Sequence, residues 1–198
     1  MNTEPIRVII VDDHIIVRKG MRAFLAEIDD IEVVGDAGSG PEAIQLVTCL
    51  HPDVILLDLK MPEMDGIQIS QQITSQYKDV RILIMTSFTT EENLLSALQA
   101  GAHGYLLKDS APSELIRKIF QIQCGESDLH PSLARKIQEI FKTSGFEDSL
   151  STRETQILKL MSKVLDEQKV AQTLDISIEE LHRQQFQIIQ KLHEISQQ

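Results

Sequence analysis

Five short apolar runs punctuate the first part of the chain, at residues 6–11, 31–34, 54–57, 82–85 and 105–107, and each is followed by a stretch with helical spacing. Four of the runs are nearly continuous rather than alternating, the pattern of strands covered on both faces. The run at 31–34 is short and mixed, which marks it as an edge. The first helical stretch carries Val17, Met21, Phe24, Leu25 and Ile28, and the second Ala43, Ile44, Val47 and Leu50. The third offers Ile69 and Ile73, the fourth Leu94, Leu95 and Leu98 before a stop at Gly101, and the fifth Leu115, Ile116, Ile119 and Ile122. The second opens with Ser39-Gly40-Pro41-Glu42, read as a capping box with proline in the first turn. Such alternation requires right-handed crossovers and a parallel sheet with helices on both faces. The expected class is α/β, a doubly wound five-stranded parallel sheet.

Beyond residue 125 the pattern weakens into a linker carrying one amphipathic helix at 133–141. Ser151 and Glu154 then form a second capping box ahead of Ile157, Leu158, Leu160, Met161 and Val164. A short helix at 167–174, a turn at 175–177 and a long helix from 178 to about 195 follow, with Ser177 and Glu180 as a third box. Three helices with a tight turn before the last match a small all-α helix-turn-helix domain. The chain therefore divides into 1–125, a linker at 126–147, and 148–198.

The net charge of −11, from 30 acidic and 19 basic residues, argues against a nonspecific nucleic-acid coat. The apolar runs fall far short of the roughly 18 residues that cross a bilayer. The opening Met1-Asn2-Thr3-Glu4-Pro5 lacks the basic and apolar parts of a secretory signal, so a cytoplasmic location and no membrane partner are expected. Cys49 and Cys124, each in an apolar helical context, read as two packed thiols.

The informative polar residues sit where the strands stop: Asp12 and Asp13 after the first, Asp58 after the third, Thr86 after the fourth and Lys108 after the fifth. Ligands of open parallel sheets bind outside these strand ends, near the point where strand order reverses. Several ionised carboxylates share a small pocket only if a cation neutralises them. Mg2+ suits this donor set, because it prefers oxygen and leaves room for a phosphoryl group. A carboxylate beside such an ion can act as a nucleophile toward phosphorus, and Asp58 is the candidate. Lys108 and the Thr86 hydroxyl would supply counter-charge and hydrogen bonding. His14 reads as a helix-start residue rather than a ligand.

Val8-Ile9-Ile10-Val11-Asp12-Asp13-His14, the run from Leu56 through Asp58 and Lys60 to Gly66, Met85-Thr86-Ser87, and the run from Ala100 through Tyr105 to Lys108 resemble the receiver domain of two-component response regulators. With the helices that follow, the chain resembles the NarL/FixJ class, whose output is a LuxR-type helix-turn-helix. The resemblance implies a flavodoxin-like sheet of order 2-1-3-4-5. It further implies Asp58 as phosphoacceptor from a sensor histidine kinase, and Mg2+ held by Asp13, Asp58 and the Lys60 backbone carbonyl, with Asp12 assisting. Thr86 and Tyr105 would be the switch pair, with Lys108 binding the phosphoryl group. DNA and a second copy of the chain, as a homodimer, are the further partners it implies.

In the last helix the resemblance points to His182, Arg183, Gln184, Gln187 and Lys191 as DNA-contacting positions. The family's usual Gly-Lys and short polar turn is here Val164-Leu165-Asp166, its Thr-Val-Lys triplet is Glu180-Leu181-His182, Gln184 replaces a histidine, and the family's fourth helix is missing after Gln198. Residues 178–194 hold Arg183 and Lys191 against Glu179, Glu180 and Glu194, a poor balance for phosphate contact. Phe186 and Ile189 widen the apolar arc of Leu181, Ile188 and Leu192, which suits burial against a partner or another subunit better than a DNA groove. The alternative output is thus a phosphorylation-gated protein-interaction module. An aspartate-nucleophile phosphatase of the haloacid dehalogenase type would need Asp-x-Asp, and Lys60 occupies the second position, so no enzyme is expected.

Overall fold

The computed structural model describes residues 4–87, 90–164 and 166–197. The first three residues of the opening segment, residue 165 of the turn departure and residue 198 lie outside them. Strands β1 (Ile6–Val11), β2 (Ile31–Ala37), β3 (Val54–Asp58), β4 (Arg81–Thr86) and β5 (Gly104–Leu107) form one parallel sheet in the order β2-β1-β3-β4-β5. Helices α1 (Ile15–Leu25), α2 (Gly40–Leu50), α3 (Gly66–Gln76), α4 (Glu91–Gln99) and α5 (Pro112–Gln123) alternate with the strands. β2 is an edge, as its mixed composition required. It runs three residues past the apolar run because Gly35 and Asp36 pair with Ile9 and Ile10 after a register shift.

The strands' alternate residues feed two cores. Val8, Ile10, Leu56, Leu83 and Met85 pack with Leu25 of α1 and with Leu115, Ile119 and Ile122 of α5. Ile9, Val11, Ile55, Leu57, Ile82 and Ile84 pack with α2, α3 and α4, and this second core continues without a break into the C-terminal helices. Those are α6 (Pro131–Thr143), α7 (Thr152–Met161), α8 (Glu167–Leu174) and α9 (Ile178–Ser196), with a 3₁₀ turn at Glu147–Ser149. The helix expected in the linker is α6, and it is more than a spacer: Leu133, Ala134, Ile137 and Phe141 are buried, and it packs on α7 and α4.

Caps depart from the sequence reading in instructive ways. Ser39 makes no side-chain cap, and the return half of the box is lost because Glu42 accepts from the Gly38 N–H at 2.8 Å rather than from Ser39. Ser177 caps α9, yet Glu180 turns to Arg183 and Gln184 rather than back to the cap. Only the Ser151 box is reciprocal as expected, and α3 carries an unanticipated one between Asp65 and Gln68. Cys49 and Cys124 are both exposed, so the packed-thiol reading is corrected: each falls on the solvent side of its amphipathic helix or just past its end.

α3 starts immediately beyond the loop that follows β3, and Gly66 makes that approach possible. A Cβ there would lie 2.5 Å from the Asp58 carbonyl oxygen. Gly66→Ala is expected to destabilise the fold by about 1–3 kcal/mol, as overpacking typically does, read as a lower urea midpoint.

Glu154 of α7, 2% exposed, accepts from Lys191 Nζ at 2.6 Å and from the Ser151 N–H at 2.6 Å. Burial raises its carboxyl, but the bonds from Lys191 and Ser151 outweigh this and hold it below the usual carboxylate range. A depressed folded value means stability that is complete above the unfolded glutamate value and lost as pH falls through the folded one. Acid titration of thermal stability should show this loss in the wild type and a shallower acid limb in Glu154→Gln.

Candidate functional site

The sheet order reverses between β1 and β3, and their carboxyl ends open the crevice in which the polar strand-end residues meet. Asp12 is wholly buried and Asp58 is 7% exposed. Asp12 Oδ1 accepts from the His14 N–H at 2.8 Å, and its Oδ2 accepts from Lys108 Nζ at 2.6 Å. The same ammonium lies 2.8 Å from Asp58 Oδ2, while Asp58 Oδ1 accepts from the Lys60 N–H at 3.3 Å. Lys108 is anchored from below, its own N–H donating to the Thr86 carbonyl at 2.8 Å. Thr86 is buried at the end of β4.

Burial raises the Asp58 carboxyl above the ordinary aspartate value, with Lys108 pulling the other way. Burial also works against the Lys108 cation, but its bonds to Asp12 and Asp58 outweigh that and raise it above the ordinary lysine value. One ammonium does not balance three carboxylates. Asp13 Oδ1 is buried without a hydrogen bond, although His14 Nδ1 lies 2.8 Å away. Single ligand atoms of Asp12, Asp13, His14 and Asp58 lie within 4.8 Å of one another. An unsatisfied buried carboxylate oxygen in an acidic, oxygen-rich cluster is what a hard divalent cation satisfies, so these residues fit Mg2+. His14 starts α1 as expected, without a side-chain cap, and its imidazole also reaches the carboxylates, which its sequence position did not signal.

Residues 8–120 match the family model described as the response regulator receiver domain. The chain is 37% identical to the transcriptional regulatory protein LiaR of Bacillus subtilis over 94% of this chain and 90% of that one. It is 36% identical to the nitrate/nitrite response regulator NarL of Escherichia coli K12, covering 89% and 84%. The chain belongs to the NarL-type response regulators. Among solved structures, the RcsB response regulator of Salmonella typhimurium aligns over 96% of this chain and 93% of its own with 28% identity and a TM-score of 0.60. This response regulator therefore controls transcription through a phosphorylated receiver, as its relatives do. Among the described residues no helix is long and apolar enough to cross a membrane.

Tyr105 stands apart from the carboxylates. It is half-buried on β5, its hydroxyl accepts from the His130 N–H at 3.2 Å, and Lys118 Nζ lies 5.5 Å from its ring centroid. Burial raises the phenol above its ordinary value.

The regulator's α9 is laid against the receiver. Phe186 stacks on His103 with centroids 5.4 Å apart, Arg81 Cζ sits 5.2 Å from the Phe186 ring, and His193 Nδ1 meets the Gln99 carbonyl at 2.9 Å. Burial pushes His103 down to about 3, helped by Arg81 and His193, so this imidazole is neutral. Part of the apolar arc that sequence assigned to a partner or another subunit is covered by the chain's own receiver, through Phe186 on His103, while α9 also packs on α7 and α8.

Four of the five DNA-reading candidates meet acids of the C-terminal helices themselves. His182 is buried, with Nε2 3.1 Å from Glu167 Oε2 and Nδ1 3.2 Å from Gln121 Nε2, which corrects its reading as a groove-facing side chain. Arg183 pairs with Glu180 at 3.0 Å and Glu126 at 3.6 Å, Gln184 donates to Glu180 at 3.0 Å, and Lys191 is held by Glu154. Gln187 is exposed.

A cation that relieves the carboxylate cluster stabilises the native state by mass action, about 2.7 kcal/mol at a hundredfold excess over Kd. The melting temperature is expected to rise with Mg2+ concentration in the wild type and much less in Asp13→Asn, checked by calorimetry.

Proposed function

We propose that Asp58 is the phosphoacceptor, that a sensor histidine kinase is the donor, and that residues 126–198 convert the modification into control of DNA binding. The observation that carries this reading is the Asp58 carboxylate held 2.8 Å from the Lys108 ammonium beside the two acids after β1. An Asp58 carboxylate oxygen attacks the phosphorus of phosphohistidine, the P–N bond breaks, and an acyl phosphate results. Asp12, Asp13, Asp58 and the Lys60 carbonyl would hold Mg2+, which would supply charge neutralisation for the phosphoryl oxygens. Lys108 is placed to exchange its Asp58 contact for a phosphoryl oxygen, and the Thr86 hydroxyl to donate to another, with Tyr105 following it. Lys60 stands where a phosphatase of this chemistry needs its acid/base carboxylate, which favours a regulator over a turnover enzyme.

Residues 1–125 then act as receiver, 126–147 as connector and 148–198 as output. In the docked arrangement α9 offers DNA little: His182 is buried, and Arg183 and Lys191 are paired with acids. Because α9 lies on the receiver through Phe186 and His193, DNA binding requires α9 to leave the receiver and Arg183 and Lys191 to exchange their acid partners on α9 and α7 for phosphates, a shift between two states biased by the phosphoryl group. The same acidic pairing favours, as a second reading, a released α9 that meets a protein.

Incubation with acetyl phosphate and Mg2+ should add the mass of one phosphoryl group to the wild type and none to Asp58→Asn. A mobility shift on the same samples over several salt concentrations should show specific binding by the phosphorylated form, weakening as salt rises. Full modification with no specific binding at low salt would reject DNA in favour of a protein partner.

A further inference from the structure

Residues 128–130, which lead from the receiver into α6, are gripped by three elements in succession. Asp128 accepts from Lys118 Nζ and, at 3.3 Å, from Arg117, both on α5. Leu129 is 2% exposed and donates its N–H to Gln185 Oε1 of α9 at 2.7 Å. His130 donates its N–H to the Tyr105 hydroxyl of β5 at 3.2 Å. Gln185 is wholly buried, and its Nε2 donates to Glu167 Oε1 of α8 at 3.3 Å. Glu167 also meets His182 of α9, which in turn reaches Gln121 of α5.

A buried carboxamide is costly unless both ends are bonded, and both ends of Gln185 are. Its acceptor end is spent on the connector rather than on its own helix. The Leu129 carbonyl and the His130 N–H belong to one planar peptide unit. Tyr105 therefore holds the far side of the residue that Gln185 holds by its near side. Any displacement of that unit when the Tyr105 hydroxyl withdraws is transmitted to the Leu129 N–H.

We propose that residues 128–130 form a latch with Tyr105 and Gln185 as its two jaws, so that withdrawal of the Tyr105 hydroxyl from His130 loosens Gln185 from Leu129 and frees α9. This rests on the reading of Asp58 as phosphoacceptor and of Thr86 and Tyr105 as the switch. Gln185 is a positioning residue: it touches neither the carboxylate pocket nor the phosphoryl group. It acts by deciding whether the output helix stays on the receiver.

The test is amide hydrogen exchange of the full chain, first without a phosphoryl donor. Gln185→Leu removes both bonds at similar volume, and Tyr105→Phe removes the hydroxyl and keeps the ring. Each should speed exchange in residues 182–189 by about tenfold while β1 and β3 keep wild-type protection. The double variant should exchange no faster than the faster single one, since an open latch cannot be opened twice, whereas two independent structural losses would multiply. Unchanged exchange of α9 in Gln185→Leu, or multiplication in the double variant, overturns the latch. Should Gln185→Leu lose protection throughout the sheet, Tyr105→Phe decides, and wild-type α9 exchange in it overturns the proposal. The wild type is then treated with acetyl phosphate and Mg2+ and followed by intact mass. Mass gain with α9 exchange at the variant level supports the latch, and mass gain with α9 still protected overturns it. A failure to gain mass faults the phosphoacceptor reading alone, and the unphosphorylated variants then decide for or against the latch.

Discussion

The charge balance around Lys108 organises the sheet's carboxyl edge. Its ammonium bridges the buried Asp12 and Asp58, and it pulls against the burial that raises the Asp58 carboxyl. β1 and β3 are neighbours in the sheet and β5 is not adjacent to either, so only a long side chain can close the triangle. The backbone bond from Lys108 to Thr86 fixes where that arm begins. The surplus negative charge, with Asp13 Oδ1 left unsatisfied, gives the edge an appetite for a hard cation and then for a phosphoryl group.

Much of this was legible in the sequence because it depends on local rules. Continuous apolar runs such as 54–57 announce doubly covered strands, and polar residues directly after them are forced to the same edge of a parallel sheet. Strand order came from the family resemblance rather than from periodicity. What escaped was set by competition between near-equal local options or by tertiary contact. Glu42 could bond Gly38 as readily as the Ser39 N–H, and Cys49 and Cys124 sit at or just past the ends of their helices, where the apolar periodicity no longer places a side chain. His14 reached the carboxylates through a rotamer, about which spacing is silent.

The C-terminal helices show the larger limit. Composition marked α9 as too acidic and too broadly apolar for a groove, and the structure pairs its Arg183 and Lys191 with acids. Composition could not say which surface takes the arc. The receiver takes part of it, through Phe186 on His103 with the His193 contact at Gln99 beside it, and His182 is buried between Gln121 of the receiver and Glu167 of α8. Gln185 was passed over because a glutamine on an amphipathic helix carries no sequence mark distinguishing a solvated side chain from a buried one bonded at both ends.

One core runs from the sheet into the last helix, with Ile9 and Leu192 in the same buried cluster. Undocking α9 therefore wets aromatic and aliphatic surface that resting molecules conceal, including Phe186 and Ile189. Under the proposed release, such a species would be adhesive. The signal would then carry its own safeguard: stickiness would be on display only while the message lasts, and a molecule that finds no target would fold its adhesive face away again.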